Sequence, residues 1–344
     1  MKKMFKLSLI MLLAFSVVLA GCGKKKEETG ASGGDSAGTA KSAVKVGLVT
    51  DVGGVNDKSF NQSAWEALEG LKKDKGIDAQ YLQSKSKEEY VTNLNKYVKG
   101  KYDLTWGIGF DLGADMKTVA DQNPEAHLAI IDAVVDSPNV RSVTFAENEG
   151  AFLVGVVAGK MTKTGKVGFV GGSKIPVIER FEAGFKAGVK AANKDAKISI
   201  NYTGAFDKPD QGKAAASTMY NDGVDIIFHA SGATGTGVFN EAKSRNKAGG
   251  SKVWVIGVDK DQSLEFGDDV TLTSMVKGVT TAVDKVTKEV IDGTFKGGSE
   301  MLGLKENGVG LAETSTKNVP ADVLKEVEDY KQKIISGEIK VPEK

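Results

Sequence analysis

From Lys45 onward, apolar strand-like stretches alternate with amphipathic helix-like stretches. Such alternation admits few folds, because each strand needs a parallel neighbour and each helix a sheet face to cover. The first stretch, 44–50 (VKVGLVT), is apolar and β-branched in the manner of a strand covered on both faces. A helix over 58–75, a strand near 77–82, a helix over 87–98, a strand over 102–107, a helix over 112–122 and strands over 127–131 and 140–145 complete a first series. The segment Glu147-Asn148-Glu149-Gly150 reads as a break, after which the helical FLVGVVAGKM opens a second series. Its strands fall over 166–170, 197–202, 224–228 and 253–258, with helices near 177–192, 208–221 and 234–247. Two such series predict two doubly wound α/β lobes, each of roughly 100–150 residues and large enough for its own core.

What remains is too short for a third lobe: a strand over 270–275, a helix over 279–292 and an amphipathic helix over 319–335. These pieces are shared between the lobes, so the chain must cross more than once. Crossings near 146–150, 259–262 and 296–300 predict a hinge of three strands. The expected shares are 44–148 plus 260–298 for the N-terminal lobe and 149–259 plus 299–344 for the C-terminal lobe.

The front of the chain is of another kind. Residues 1–6 carry three lysines, 7–19 are apolar, and Leu19-Ala20-Gly21-Cys22 follows. This is the pattern of a secretion signal ending in a lipobox, and the apolar run is too short for a permanent span. It predicts removal of residues 1–21 and a thioether-linked diacylglycerol on Cys22, the chain's only cysteine, so no internal disulfide can form. Loss of Lys2, Lys3 and Lys6 takes the formal charge from +1 to −2, which leaves no basic field for nucleic acid. Gly, Ser, Ala and Thr dominate 30–43, and residues 22–43 read as a disordered tether, in which Lys24–Lys26 either meet anionic headgroups or form a solvated charge run.

In open α/β sheets the ligand crevice lies outside the carboxyl ends of the strands, so short polar residues at those positions are the candidates for binding. Asp51 ends the first strand; Gly53-Gly54 turns the chain, Asn56 or Asp57 caps the next helix, and Phe60 and Asn61 fall in its first turn. Other strand ends supply Phe110-Asp111, Asp132, Phe206-Asp207, Ser231-Gly232, Asp259 and Lys277. Carboxylates accept hydrogen bonds from sugar hydroxyls, a lysine beside them keeps them ionised, and aromatic faces hold a flat ring. The set predicts a neutral, hydroxyl-rich, flat-ringed ligand.

Catalysis finds less support. His127 begins a strand and His229 ends one, neither at metal-ligand spacing, and both read as core or loop histidines. Gly232–Gly237 (GATGTG) is neither a dinucleotide fingerprint nor a P-loop, and no nucleophile elbow is present in the sequence. No cofactor is expected.

Three segments carry a family resemblance: DVGGVNDKSFNQSAWEAL, PVIERFEAGFKAGVKAAN and DIIFHASGATGTGVFNEAK. Together they resemble the basic membrane protein family of bacterial lipoproteins, and within it the purine nucleoside receptors, over 44–340. The resemblance implies a type I periplasmic-binding-protein fold serving as the solute-capturing subunit of an ABC importer, partnered by permease and ATPase. By position, Asp51, Phe60, Asn61 and Asp132 match the family's first-lobe ligand residues. In the second lobe Phe206 is the expected opposing aromatic, Gly232 a backbone contact, and Asp259 with Lys277 the ribose pair. Phe181 is the alternative to Phe206, since FEAGF also reads as the apolar face of its own helix. The expected function is a monomeric, lipid-anchored receptor for nucleosides on the outer face of the membrane. A sugar or signal sensor of the same fold is the alternative, with a nucleoside hydrolase behind it.

Overall fold

The computed structural model describes residues 43–344. The predicted signal segment, Cys22 and the tether up to Ser42 lie outside the described residues.

Chain order is β1 (Lys45–Thr50), α1 (Phe60–Lys75), β2 (Asp78–Gln83), α2 (Tyr90–Lys99), β3 (Leu104–Ile108), α3 (Gly113–Gln122), β4 (Leu128–Ile131), β5 (Val140–Phe145) and α4 (Glu147–Met161). Then come β6 (Lys166–Gly171), α5 (Pro176–Ala192), β7 (Lys197–Tyr202), α6 (Pro209–Asn221), β8 (Ile226–Ala230), α7 (Gly235–Lys247) and β9 (Trp254–Asp259). The chain ends with α8 (Ser263–Phe266), β10 (Thr271–Lys277), α9 (Val279–Ile291), β11 (Gly298–Leu302), β12 (Val309–Leu311) and α10 (Ala321–Ile335).

Two six-stranded sheets result, wired alike: β11-β5-β4-β3-β1-β2 and β12-β10-β9-β8-β6-β7. Pairing is parallel throughout except where β12 runs against β10. The central strands are buried along their whole length, as a sheet covered on both faces requires.

The chain crosses between the sheets three times, but at two points the crossings differ from those expected. β10 pairs with β9, Val276 opposite Asp259, so residues to 277 stay with the second sheet. The chain then leaves through Gly278, α9 packs on α1, and β11 pairs with β5 from Gly298 to Leu302. It returns between Leu302 and Val309. Segment 271–277 therefore belongs with the second lobe and 298–302 with the first, the reverse of their assigned shares. The cause is the weak signal of β11: GSEML is exposed or half-buried at every position and has no apolar face to read.

One further difference bears on function. Segment 147–150, expected as a break, is the first turn of α4, and Glu147 within it is fully buried. α4 is apolar all round, which suits a helix enclosed on every side. α5 crosses it with backbone on backbone: a Cβ added at Gly184 would lie 2.1 Å from the Asn148 carbonyl oxygen, and one at Gly188 would lie 2.0 Å from that of Phe152.

Candidate functional site

The carboxyl ends of the two sheets face each other across a cleft lined from both lobes, the place where ligands of open α/β sheets are found. Asp51, Phe60, Asn61 and Asp132 line it from the first lobe, and Phe181, Phe206, Gly232, Asp259 and Lys277 from the second. All nine residues that the family resemblance singled out are thus on one cavity. Phe110, Asp111 and Ser231 join them, whereas Asp207 pairs at the surface with Lys208 at 2.9 Å.

On the first lobe the corner after β1 is held by a carboxylate network. Asp57 accepts from the free amides at the start of α1, Ser59 at 2.9 Å, Asn61 at 2.8 Å and Gln62 at 3.1 Å, which settles the cap between the two candidates. Asn61 Nδ2 donates to Asp51 Oδ1 at 2.8 Å and to Asp57 Oδ2 at 3.0 Å. With its amide nitrogen so committed, Asn61 turns an unpartnered, buried Oδ1 outward from the pair. Burial, moderated by the Asn61 hydrogen bond, pushes the Asp51 carboxyl up to about 7.

The second lobe supplies a loop and a charged centre. The loop carrying Phe206 is tied by Thr234, whose hydroxyl donates to the Ala205 carbonyl at 3.0 Å and accepts from the Lys208 amide at 2.9 Å. Gly172 lets the Phe206 ring lie against the backbone, since a Cβ there would fall 2.3 Å from the ring. Phe181 is 98% buried beneath the cleft, its ring centroid 6.1 Å from that of Phe228, while Phe206 stays half-buried at the wall.

Asp132 and Asp259 occupy equivalent places, immediately after β4 and at the end of β9, and both have left-handed backbone, φ 73° and 66°. Non-glycine residues held in that region mark sites where surrounding structure enforces the geometry. Lys277 Nζ donates to Asp132 Oδ2 at 2.7 Å and lies 3.1 Å from Glu147 Oε1, without hydrogen-bonding geometry to the latter. The ammonium also sits 5.0 Å from the ring centroids of Phe60 and of Phe145. Burial pulls the Lys277 pKa down, but Asp132, Glu147 and Asp259 outweigh it and hold the ammonium above its ordinary value. Burial raises the Asp259 carboxyl to about 7 against the pull of Lys277 and of the Ser59 hydroxyl, and raises Asp132 likewise. Asp132 Oδ1 has no partner.

Contacts across the cleft join the lobes. The Ser59 hydroxyl donates to Asp259 Oδ2, and Gln262 Nε2 to the Lys58 carbonyl at 2.8 Å. Lys58 pairs with Glu265 at 3.3 Å and Lys260 with Glu66 at 2.8 Å. Gln262 is fixed in turn by His229 Nε2 at 2.8 Å and by the Val258 amide at 2.9 Å, which gives that histidine its place in the core. Sequence reasoning missed Ser59, Gln262, Glu147 and Arg180. Only Glu147 carried a signal, a charge abutting an apolar helical run.

A family model described as ABC transporter substrate-binding protein, PnrA-like, matches residues 44–344. The chain belongs to that family. Among relatives of this PnrA-like protein is the CD4+ T-cell-stimulating antigen of Listeria innocua, 49% identical, with 100% of this chain and 99% of the relative covered. The ABC transporter nucleoside-binding protein BmpA of Lactococcus lactis is 42% identical, over 96% of this chain and 97% of the other. Among solved structures, an ABC transporter solute-binding protein from Aeropyrum pernix K1 superposes with TM-score 0.81 at 32% identity, covering 88% of this chain and 94% of that one. The two-sheet architecture is that of the periplasmic solute-binding proteins, and the role of a PnrA-like protein is to bind a solute for an ABC transporter rather than to transform it.

Proposed function

We propose that the protein is a lipid-anchored receptor that captures nucleosides, purine nucleosides by preference, and delivers them to an ABC importer. One combination carries the reading: aromatic rings on both lobes and two buried aspartates flanking a buried lysine share a single cleft. Phe60 and Phe206 stack on the base, each stack being worth about 1–3 kcal/mol. Asn61 and Asp51 meet its polar edge with a free carbonyl oxygen and a carboxyl. Asp132, Asp259 and Lys277 take the ribose hydroxyls, and Gly232 offers backbone. A relative whose name is nucleoside-binding protein supports the same ligand class. Because both lobes touch the nucleoside only when the cleft is closed, binding favours the closed state, which permease and ATPase then read. The receptor is held as a monomer on the outer face of the membrane by diacylglycerol on Cys22.

Mass spectrometry of the small molecule released on denaturing freshly purified protein tests the reading, with calorimetry on inosine and guanosine beside it. A purine nucleoside is expected in the release. A released sugar, or no nucleoside affinity, overturns the reading in favour of a sensor of the same fold. Free base accumulating from inosine would favour a hydrolase. Metabolic labelling with palmitate, lost in Cys22→Ser, tests the anchor.

A further inference from the structure

We propose that Glu147, set in place by Arg180, is a positioning residue that aims the Lys277 ammonium and thereby gives the cleft its selectivity for hydroxyl-bearing ligands. The inference rests on the nucleoside reading above. Neither Glu147 nor Arg180 lines the cleft, so any effect of theirs on ligand passes through the residues that do, Lys277 and Asp132.

The Glu147 side chain is 0% exposed and that of Lys277 1%, so water screens neither charge. Lys277 is bonded to Asp132 at 2.7 Å, has Glu147 3.1 Å away without a hydrogen bond, and lines the cleft, so N–H donors remain for a ligand. Arg180 Nε donates to Glu147 Oε2 at 2.7 Å. That bond commits one carboxylate oxygen of Glu147 to Arg180 and leaves the other, Oε1, beside an ammonium already bonded to Asp132. Arg180 is itself half-buried on a hollow lined by the C-terminal segment, Lys340 and Glu343 included. Without the negative charge of Glu147, the ammonium collapses onto Asp132 and Asp259, and the stranded guanidinium draws Asp132 back. The acceptors required by a ribose are then consumed internally, while the aromatic walls that hold a base are untouched.

The experiment is calorimetry with inosine and 2′,3′-dideoxyinosine on the full chain and three variants. Wild type is expected to prefer inosine. Glu147→Gln should lower the inosine-to-dideoxyinosine affinity ratio about tenfold or more, with dideoxyinosine affinity held within about threefold. Arg180→Gln, which keeps the buried carboxylate but removes its anchor, should lower the ratio in the same direction, and Arg180→Lys should restore most of it. Equal loss for both ligands in Glu147→Gln would mean a purely structural role and overturn the inference. Should Glu147→Gln fail to fold, an unchanged ratio in Arg180→Gln overturns it instead. A wild type that binds neither compound defeats the nucleoside reading, and with it this one; a wild type that prefers inosine while the variants keep the ratio defeats the inference alone.

Discussion

Asp132 and Asp259 are the residues on which chemistry and backbone conformation meet. At φ 73° and 66° an aspartate, unbranched at Cβ, is tolerated better than a β-branched residue, which is strained. Asp132→Val should therefore lower stability by about 1–3 kcal/mol from the backbone alone, read as a shifted urea midpoint. Asp259→Ala should cost about 2–4 kcal/mol of nucleoside affinity, since it removes a charge-assisted acceptor and strands the Ser59 hydroxyl. Unchanged affinity by calorimetry would remove Asp259 from the site. The same residue makes a prediction about pH. Its carboxyl sits at about 7 in the folded state against an ordinary 3.8, so the folded protein holds the proton more tightly than the unfolded chain does. The stability this group contributes is full below about pH 4 and is lost as pH rises through about 7. In ligand-free protein, the Tm advantage of Asp259→Asn over wild type should widen from pH 5 to pH 8; a gap that narrows contradicts the burial argument. These aspartates were legible in the sequence because strand ends in α/β folds are predictable positions. Their lysine-centred network was not, because Glu147 and Arg180 reach it from other elements and no spacing rule links them.

At the scale of elements, the α4–α5 contact shows how a helix that reads as ordinary can be fixed by what it lacks. Gly188 sits mid-helix, where alanine would raise helix propensity by about 1 kcal/mol. Its Cβ would lie 2.0 Å from the Phe152 carbonyl, so the helices must separate, and Gly188→Ala should destabilise by about 2–4 kcal/mol in urea unfolding. A neutral or stabilising result would mean that the two helices yield freely. The single G-x-x-x-G of α5, Gly184 to Gly188, was visible in the sequence, but only the contact with α4 gives it meaning. Strand positions were readable wherever both faces are buried. β11 and β12 escaped because one is exposed and the other spans three residues, Val309–Leu311, too few for a period.

At the scale of the whole molecule, the contacts between the lobes are graded by burial. Lys260–Glu66 is water-exposed, and breaking it with Glu66→Ala should change ligand affinity by less than about 1 kcal/mol. Gln262 is 99% buried and joins the second lobe's His229 to the first lobe's Lys58 carbonyl. Gln262→Ala should release that link and favour the open state, seen as a larger radius of gyration by small-angle scattering without ligand and a matching loss of affinity. An unchanged radius would show that the remaining contacts hold the lobes together unaided. The interleaving of the sheets bears on biosynthesis as well. Each sheet receives one of its two edge strands, β11 or β12, only from the last fifth of the chain, so a ribosome that has made the other five strands of both has still produced two unfinished edges. The first sheet is complete only once translation passes Leu302 and the second only once it passes Leu311, so neither half can finish folding while most of the chain is being made.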